Sequence, residues 1–179
     1  IMIQRVYEQV QKASLIDSVI VATDDQRIFD AVKSFGGLVE MTSEDHKSGT
    51  DRCAEVAQRH PEFDLVINIQ GDEPFINPAQ IDKVISALMD YDGVGISTLA
   101  KTIEEVDEIF NPNVVKVVFG EMQQALYFSR HPIPFVRSAD KAEWMHKATF
   151  FKHIGLYGFR QNVLLQLAHL PQGRLEQIE

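Results

Sequence analysis

Apolar positions along the chain alternate between helical spacing and short continuous runs. Residues 2–13 carry apolar side chains at three- and four-residue intervals, which predicts an amphipathic helix. The apolar run at 19–23 predicts a buried parallel strand. By the same criteria, further helices are predicted at 28–35, 51–59, 78–89 and 163–170, and further strands at 38–41, 64–69, 94–99, 114–119, 125–129 and 154–159. We expect the strands at 114–119 and 125–129 to form a hairpin.

This succession of strands and helices is typical of an open α/β sheet that is mostly parallel, with helices on both faces. We expect residues 1–179 to form a single domain, since the chain contains no repeat, low-complexity segment or obvious linker. The least regular stretch is 132–151, where aromatic residues stand between charged ones. It is predicted to leave the sheet and either cover the functional site or contact a partner subunit.

Composition narrows the class of protein. The 179 residues are 45% hydrophobic and 24% charged, and the formal net charge of -9 argues against a general nucleic-acid binder. No apolar run reaches the roughly 20 residues of a membrane helix, and no signal peptide is recognisable. Cys53 is the only cysteine, so an internal disulfide is impossible and a cytoplasmic location is expected. P-loop, dinucleotide-binding, nucleophile-elbow and C-x-x-C motifs are missing from the sequence.

Acidic residues follow two of the predicted strands, where α/β sheets bind ligands. The string Gln70-Gly71-Asp72-Glu73-Pro74 favours a Mg²⁺ site on Asp72, because this ion needs only one or two protein carboxylates and binds substrate phosphates as well. For the pair Asp24-Asp25 we favour a helix cap.

Residues 46–52 (H-K-S-G-T-D-R) place a glycine, hydroxyl groups and cations at a predicted helix start. Backbone N–H groups and the helix dipole favour an anionic or polar ligand there. The alternative is an ordinary capped loop with Thr50 as the N-cap, and composition alone does not separate the two.

Three further polar residues lie on or after predicted strands. Arg130 follows the strand at 125–129, and its guanidinium suits a carboxylate or phosphate. His153 and Tyr157 share one face if the strand at 154–159 extends to include them. Taken singly, each of these two is better explained as a core residue whose polar tip has an internal partner.

Six strings resemble, in the same order, those of the CMP-Kdo synthetases, or 3-deoxy-manno-octulosonate cytidylyltransferases. They span nearly the whole chain: Val21–Asp25, His46–Arg52, Asn68–Pro74, Phe110–Val117, Tyr127–Pro134 and His153–Arg160. The resemblance implies a Rossmann-like nucleotide-diphospho-sugar transferase fold, CTP and Kdo as substrates, a Mg²⁺ cofactor and a homodimer. It also implies that the 132–151 stretch lies near the dimer contact.

The resemblance also assigns roles to single residues. Asp72 would be a metal ligand, and Gln70 would lie close to the substrates. The nucleotide base and ribose would lie near Ser48, Gly49, Thr50 and Arg52. The Kdo pocket would be lined by Arg130, His153 and Tyr157, and catalysis would depend on Asp72, Gln70 and Arg130.

Some of the family's segments do not occur in this sequence. The family opens with a strand and a P-A-R-x-x-S-x-R-x-P-G-K loop that binds the CTP phosphates. Later it carries an L-E-Q-L-R helix and a second metal-binding Asp in D-T-x-E-D-L. We therefore expect the sequence to be a fragment, inactive alone, that ends in a helix barely begun at 175–179.

Two alternatives remain open. One is a cytidylyltransferase for another acid sugar, such as sialic acid or an amino-Kdo, since a changed substituent needs only local pocket contacts. The other, from a different class, is a non-catalytic nucleotide-binding domain. If the Kdo function holds, the product feeds lipopolysaccharide assembly.

Overall fold

The computed structural model describes residues 1–174 and 178. The helices are α1 (Met2–Val10), α2 (Gln26–Ser34), α3 (Gly49–Arg59), α4 (Pro78–Asp90), α5 (Val106–Phe110), α6 (Trp144–Lys147) and α7 (Gln161–Ala168). The strands are β1 (Ile20–Thr23), β2 (Leu38–Met41), β3 (Leu65–Asn68), β4 (Ile96–Thr102), β5 (Lys116–Phe119), β6 (Ala125–Ser129) and β7 (Phe151–Arg160). The helix start predicted at 175–179 falls almost wholly outside the described residues. No helix in the described part of the chain is long and apolar enough to cross a membrane.

The chain forms two compact units. The first contains Ile1–Ser97 and the chain from Leu156 onward, and the second contains Thr98–Gly155. Strands β4 and β7 contain residues of both units. The assignment of the whole chain to a single domain stays a prediction.

The first unit contains a parallel pair and an antiparallel pair. Strands β1 and β2 run parallel, with Ile20 opposite Leu38. Strand β3 runs antiparallel to β7, with Asn68 opposite Tyr157. The parallel part of the sheet is therefore smaller than the sequence predicts, because the order of strands along the chain does not determine which of them become neighbours.

Helices pack closely on the strands of the first unit. Phe159 of β7 is buried with Ala54 and Ala57 of α3 and with Leu164 of α7. A Cβ atom at Gly158 would stand 2.6 Å from Cγ1 of Val84, so glycine permits this close approach of β7 to α4. The packing fixes the segment of β7 that carries Tyr157.

The second unit contains the predicted hairpin. Strands β5 and β6 pair antiparallel, with Lys116 opposite Ser129, and β5 also pairs antiparallel with β7. Its core contains Ile103, Ile109, Trp144 and Phe150. Two of these aromatic residues belong to the stretch predicted to be irregular, which contains a short 3₁₀ helix at Lys141–Glu143 as well as α6.

The observed helix ends agree in part with those predicted from the sequence. Asp25 caps α2 by accepting a hydrogen bond from the backbone N of Arg27, as expected. Helix α2 ends before Gly36, which has a φ of +79°, a backbone conformation that favours glycine. Helix α3 begins two residues earlier than expected and Ser48 caps it, so the alternative that made Thr50 the N-cap is wrong.

Candidate functional site

The start of α3 lies beside the end of β3. The Ser48 hydroxyl accepts a hydrogen bond from the backbone N of Asp51 at 3.1 Å and donates one to the Asp51 carboxylate at 2.8 Å. A Cβ atom at Gly49 would stand 3.5 Å from the Asn68 side-chain amide nitrogen, an ordinary van der Waals distance, so the start of the helix lies close to the end of the strand. The predicted nucleotide segment and the string that follows β3 are therefore neighbours in the first unit.

Arg52, one turn into α3, is held by two loops. Its Nη2 donates to Asp24 Oδ2 at 2.6 Å, and its Nη1 donates to Thr42 Oγ1 at 2.5 Å. The side chain is only 19% exposed, so these bonds are partly shielded from water. Arg52 fixes the loops after β1 and β2 against α3, and its contact with a nucleotide stays a prediction.

The acidic turn after β3 presents its carboxylates to solvent. Gln70, Asp72 and Glu73 are all exposed residues. Desolvation of its carboxyl group raises the pKa of Glu73, and the negative charge of Asp72 adds to the rise. A cation bound there would relieve this repulsion between neighbouring carboxylates.

Mg²⁺ fits these donors. No cluster of three or more His, Cys, Asp and Glu side chains in the described part of the chain is arranged to hold a metal. Such a cluster is not required, because Mg²⁺ binds one or two carboxylates and completes its shell with water and substrate phosphates. Asp72 offers oxygen ligands of this kind at an open position.

Two cavities of the first unit have Gln70 and Gly71, at the acidic turn, in both of their linings. One, of about 1270 Å³, is lined by residues that include Gly49, Arg52 and Gln70. The other, of about 730 Å³, is lined by residues that include Gln70 and Asp72. The larger cavity is also lined by most of β1 and β3 and by apolar residues of α1 and α4, so its volume is not that of a nucleotide site. Gly49, Arg52 and Gln70 thus line one cavity, and Gln70 and Asp72 line the other.

Arg130 lies in the second unit, directly after β6. Its side chain is exposed, and Nη1 donates to the backbone oxygen of Pro112 at 3.0 Å. The guanidinium therefore has a defined anchor while much of it faces solvent.

His153 is a half-buried residue of β7 in the second unit. Its Nε2 lies 2.8 Å from Thr98 Oγ1, and the Phe128 ring contacts the imidazole edge-on at 4.9 Å between centroids. Burial lowers the pKa of His153, which favours the neutral form of the imidazole. Phe128 belongs to β6, the strand that leads to Arg130, so one strand supports both predicted sugar-binding residues of this unit.

Tyr157 belongs to the first unit. It is half-buried on β7, its ring stacks on Phe159 at 6.1 Å, and burial raises the pKa of its hydroxyl. It does not share a compact unit with Arg130 and His153.

Sequence reasoning missed three supporting residues. Asp24, interpreted as part of a cap, is the ion-pair partner of Arg52. Thr98 contacts His153, and nothing in its sequence context marks it. Lys116 is fully buried. The sequence did contain a signal for this residue, because it is the single lysine within the apolar run Val114–Phe119.

A helix N-terminus and an acidic glycine turn that share cavities in an α/β fold are typical of proteins that bind nucleotides through their phosphates. The family profile described as Cytidylyltransferase matches residues 1–179. The chain belongs to this family.

Relatives with known names show which members of the family the chain is similar to. The chain is 50% identical over 183 residues to the 3-deoxy-manno-octulosonate cytidylyltransferase of Parabacteroides distasonis, covering 99% of this chain and 72% of the relative. It is 52% identical over 182 residues to the enzyme of the same name in Bacteroides thetaiotaomicron, covering 99% of this chain and 71% of that one. The predicted family resemblance is confirmed.

A solved structure confirms the fold. CMP:2-keto-3-deoxy-manno-octonic acid synthetase, complexed with CTP, superposes with a TM-score of 0.90 at 42% identity, covering 99% of this chain and 70% of that one. The α/β nucleotidyltransferase fold predicted from the sequence is therefore correct. The roles of individual site residues and the cytoplasmic location stay predictions.

Proposed function

We propose that the protein is a 3-deoxy-manno-octulosonate cytidylyltransferase, which converts CTP and Kdo into CMP-Kdo and pyrophosphate. One observation carries the proposal: the α3 N-terminus, at Gly49, lies beside Asn68 at the end of β3, from which the acidic turn follows, so two separate strings of the family pattern are neighbours in the first unit. The names of the relatives and of the CTP-bound structure support the same reaction. The product would supply lipopolysaccharide assembly.

In this reaction the anomeric hydroxyl of Kdo attacks the α-phosphorus of CTP, and pyrophosphate leaves. Positioning and charge neutralisation dominate catalysis of such transfers. Asp72 would hold Mg²⁺, which supplies charge neutralisation at the phosphates when bound. Gln70 and the α3 start would position the nucleotide.

The acid sugar is proposed to bind through residues of β6 and β7. Arg130 offers a guanidinium for the Kdo carboxylate. His153, supported by Thr98 and Phe128, is suited to hydrogen-bond the sugar hydroxyls. Tyr157 belongs to the first unit, and its contact with the sugar stays a prediction from the family resemblance alone. The two substrates lose their relative motion when they bind, before the reaction takes place. Binding them in line therefore lowers the activation barrier of the transfer.

We further propose that the protein acts as a homodimer. In the second unit, β6 pairs with β5 at one end of the strand order and exposes large apolar side chains. These are Leu126 and Tyr127 on β6, Met122 in the hairpin turn and Phe135 in the 132–151 stretch. Exposed apolar groups of this kind favour contact with a partner subunit.

The test is pyrophosphate release by the complete gene product with Mg²⁺ and Kdo, offering CTP, UTP, ATP and GTP in turn. We expect release with CTP that requires both Kdo and the metal. Sialic acid and an amino-Kdo are the competing acceptors: faster release with either one would replace Kdo as the substrate. A folded protein that releases no pyrophosphate with any pair would point to the non-catalytic, nucleotide-binding alternative.

A further inference from the structure

Lys116 is a charged residue in an apolar strand. It is fully buried at the start of β5. The other residues of the run 114–119 are valines and one phenylalanine. A buried ammonium is costly unless it is fully hydrogen-bonded. This residue therefore requires an explanation beyond packing.

Backbone oxygens surround the Lys116 ammonium. Its Nζ donates to the oxygens of Asn111 at 2.9 Å, Val114 at 2.6 Å and Arg130 at 2.5 Å. An ammonium has three donors, so these three bonds use all of them. Lys116 is thus saturated by the protein and is not a substrate ligand.

The three hydrogen bonds of Lys116 all hold backbone that supports Arg130. One holds the backbone of Arg130 itself, and two hold the loop at 111–114. The Arg130 guanidinium in turn donates to the oxygen of Pro112, within that same loop, at 3.0 Å. Lys116 therefore fixes both the backbone from which the Arg130 side chain extends and the loop on which its guanidinium rests.

The pairing of β5 with β6 gives this arrangement its register. Lys116 stands opposite Ser129, the residue before Arg130. The Ser129 hydroxyl accepts a hydrogen bond from the backbone N of His131 at 2.9 Å, which shapes the chain as it leaves the strand. Desolvation, with a smaller contribution from the positive charge of Arg130, lowers the pKa of Lys116, as expected for a cation held without a carboxylate partner.

We propose that Lys116 is a positioning residue for the acid sugar: it acts through Arg130 and never contacts the substrate. This rests on the proposed function of Arg130 as the group that holds the Kdo carboxylate. A small displacement of a substrate-holding group is enough to reduce turnover strongly. A methionine at position 116 keeps an unbranched side chain, one heavy atom shorter than that of lysine, and removes all three donors.

The test compares steady-state kinetics of Lys116→Met with those of the unaltered protein. We expect the KM for Kdo to rise roughly ten-fold or more while the KM for CTP changes little. The matched control is Lys101→Met, an exposed lysine of β4 in the same unit, for which both constants should stay unchanged. An unchanged Kdo KM in folded Lys116→Met would overturn the proposal.

A double-variant cycle separates positioning from simple loss of stability. If Lys116 acts through Arg130, Lys116→Met should add little to the defect of Arg130→Ala. A full additional rise in the Kdo KM would contradict the proposal. If Arg130→Ala alone leaves the Kdo KM unchanged, then the proposed function of Arg130 is what fails.

Should Lys116→Met not fold, Lys116→Arg decides the question, because it keeps the charge and the donors but changes their geometry. We expect a folded protein with a selective rise in the Kdo KM. Wild-type values for both substrates in that variant would count against a positioning role.

Discussion

The Asp72 carboxylate is the single group on which the proposed metal site depends. We expect Asp72→Asn to abolish pyrophosphate release, because the amide keeps the shape of the side chain but loses the charge that holds Mg²⁺ against the phosphates. Charge neutralisation worth several kcal/mol corresponds to a loss of more than about a hundred-fold in rate. The measurement is steady-state release at saturating CTP and Kdo.

Stability should not change with this substitution. Asp72 is exposed, and exposed substitutions of this kind usually shift the free energy of unfolding by no more than about 0.5 kcal/mol. Asp90→Asn, at the exposed end of α4, is the matched control and should retain full activity. Near-normal release by Asp72→Asn would rule out its role as a metal ligand.

His153 is proposed to contact the sugar and not the nucleotide. We expect His153→Ala to raise the KM for Kdo more than the KM for CTP, because the imidazole and its Thr98 partner lie in the second unit with Arg130. His153→Gln, whose amide can still reach a hydroxyl, should recover part of the loss. An equal rise in both constants would show that the imidazole only supports the fold.

Single-residue predictions from sequence succeeded where chemistry is local. Asp25 caps α2 as expected, because its carboxylate accepts the backbone N–H of Arg27. Thr50 failed as a cap because Ser48 and Thr50 both suit that position. The side-chain hydrogen bond between Ser48 and Asp51 favours Ser48 as the N-cap, and the sequence does not reveal this bond. The partners of Arg52 and His153 come from other elements, so no local pattern could identify them.

At the scale of elements, His60 joins the end of α3 to strand β2. Its Nε2 lies 2.5 Å from Glu40 on β2, and its Nδ1 lies 3.0 Å from Glu62. The hydrogen bond to Glu40 raises the pKa of His60 most, and the hydrogen bond to Glu62 adds to the rise. Only the protonated ring can donate to both carboxylates. The stabilisation is therefore complete below the unfolded-state pKa of about 6.5, and it is lost as the pH rises through the higher folded-state value.

We expect His60→Gln to lower the melting temperature more at pH 6 than at pH 9. A partly exposed ion pair contributes up to about 1 kcal/mol, which corresponds to roughly 2–4 °C in a chain of this size. Thermal melts at both pH values provide the measurement. Glu40→Gln should remove most of the pH-dependent difference, and a deficit that grows toward pH 9 would contradict the assignment.

Most elements of the fold could be predicted because their apolar periodicity is strong. Strands β2 and β6 have the predicted bounds, and the hairpin of β5 with β6 forms as expected. Helix α5 was missed because five residues are too few to show a period. The direction of β3 was not predictable either: its apolar run predicts a strand, whereas its antiparallel neighbour, β7, arrives from a distant part of the sequence.

At the scale of the whole molecule, the exposed apolar side chains of β6 bear on assembly. Leu126 on this strand is 63% exposed, and Leu170, just beyond α7 in the first unit, is 65% exposed. The two leucines are thus matched in type and exposure but lie on different units. If β6 forms the proposed subunit contact, a charge at position 126 will be desolvated in the dimer, whereas one at position 170 will stay in water.

We therefore expect Leu126→Glu to convert the dimer into a monomer and Leu170→Glu to leave it intact, as measured by light scattering coupled to size exclusion over a range of concentrations. Both substitutions are on the surface, so the monomer should keep its circular-dichroism spectrum. Dissociation by Leu170→Glu instead would move the contact to the first unit. A monomer in the unaltered protein at all concentrations would exclude the proposed homodimer, and the exposed apolar residues of β6 would then require another explanation.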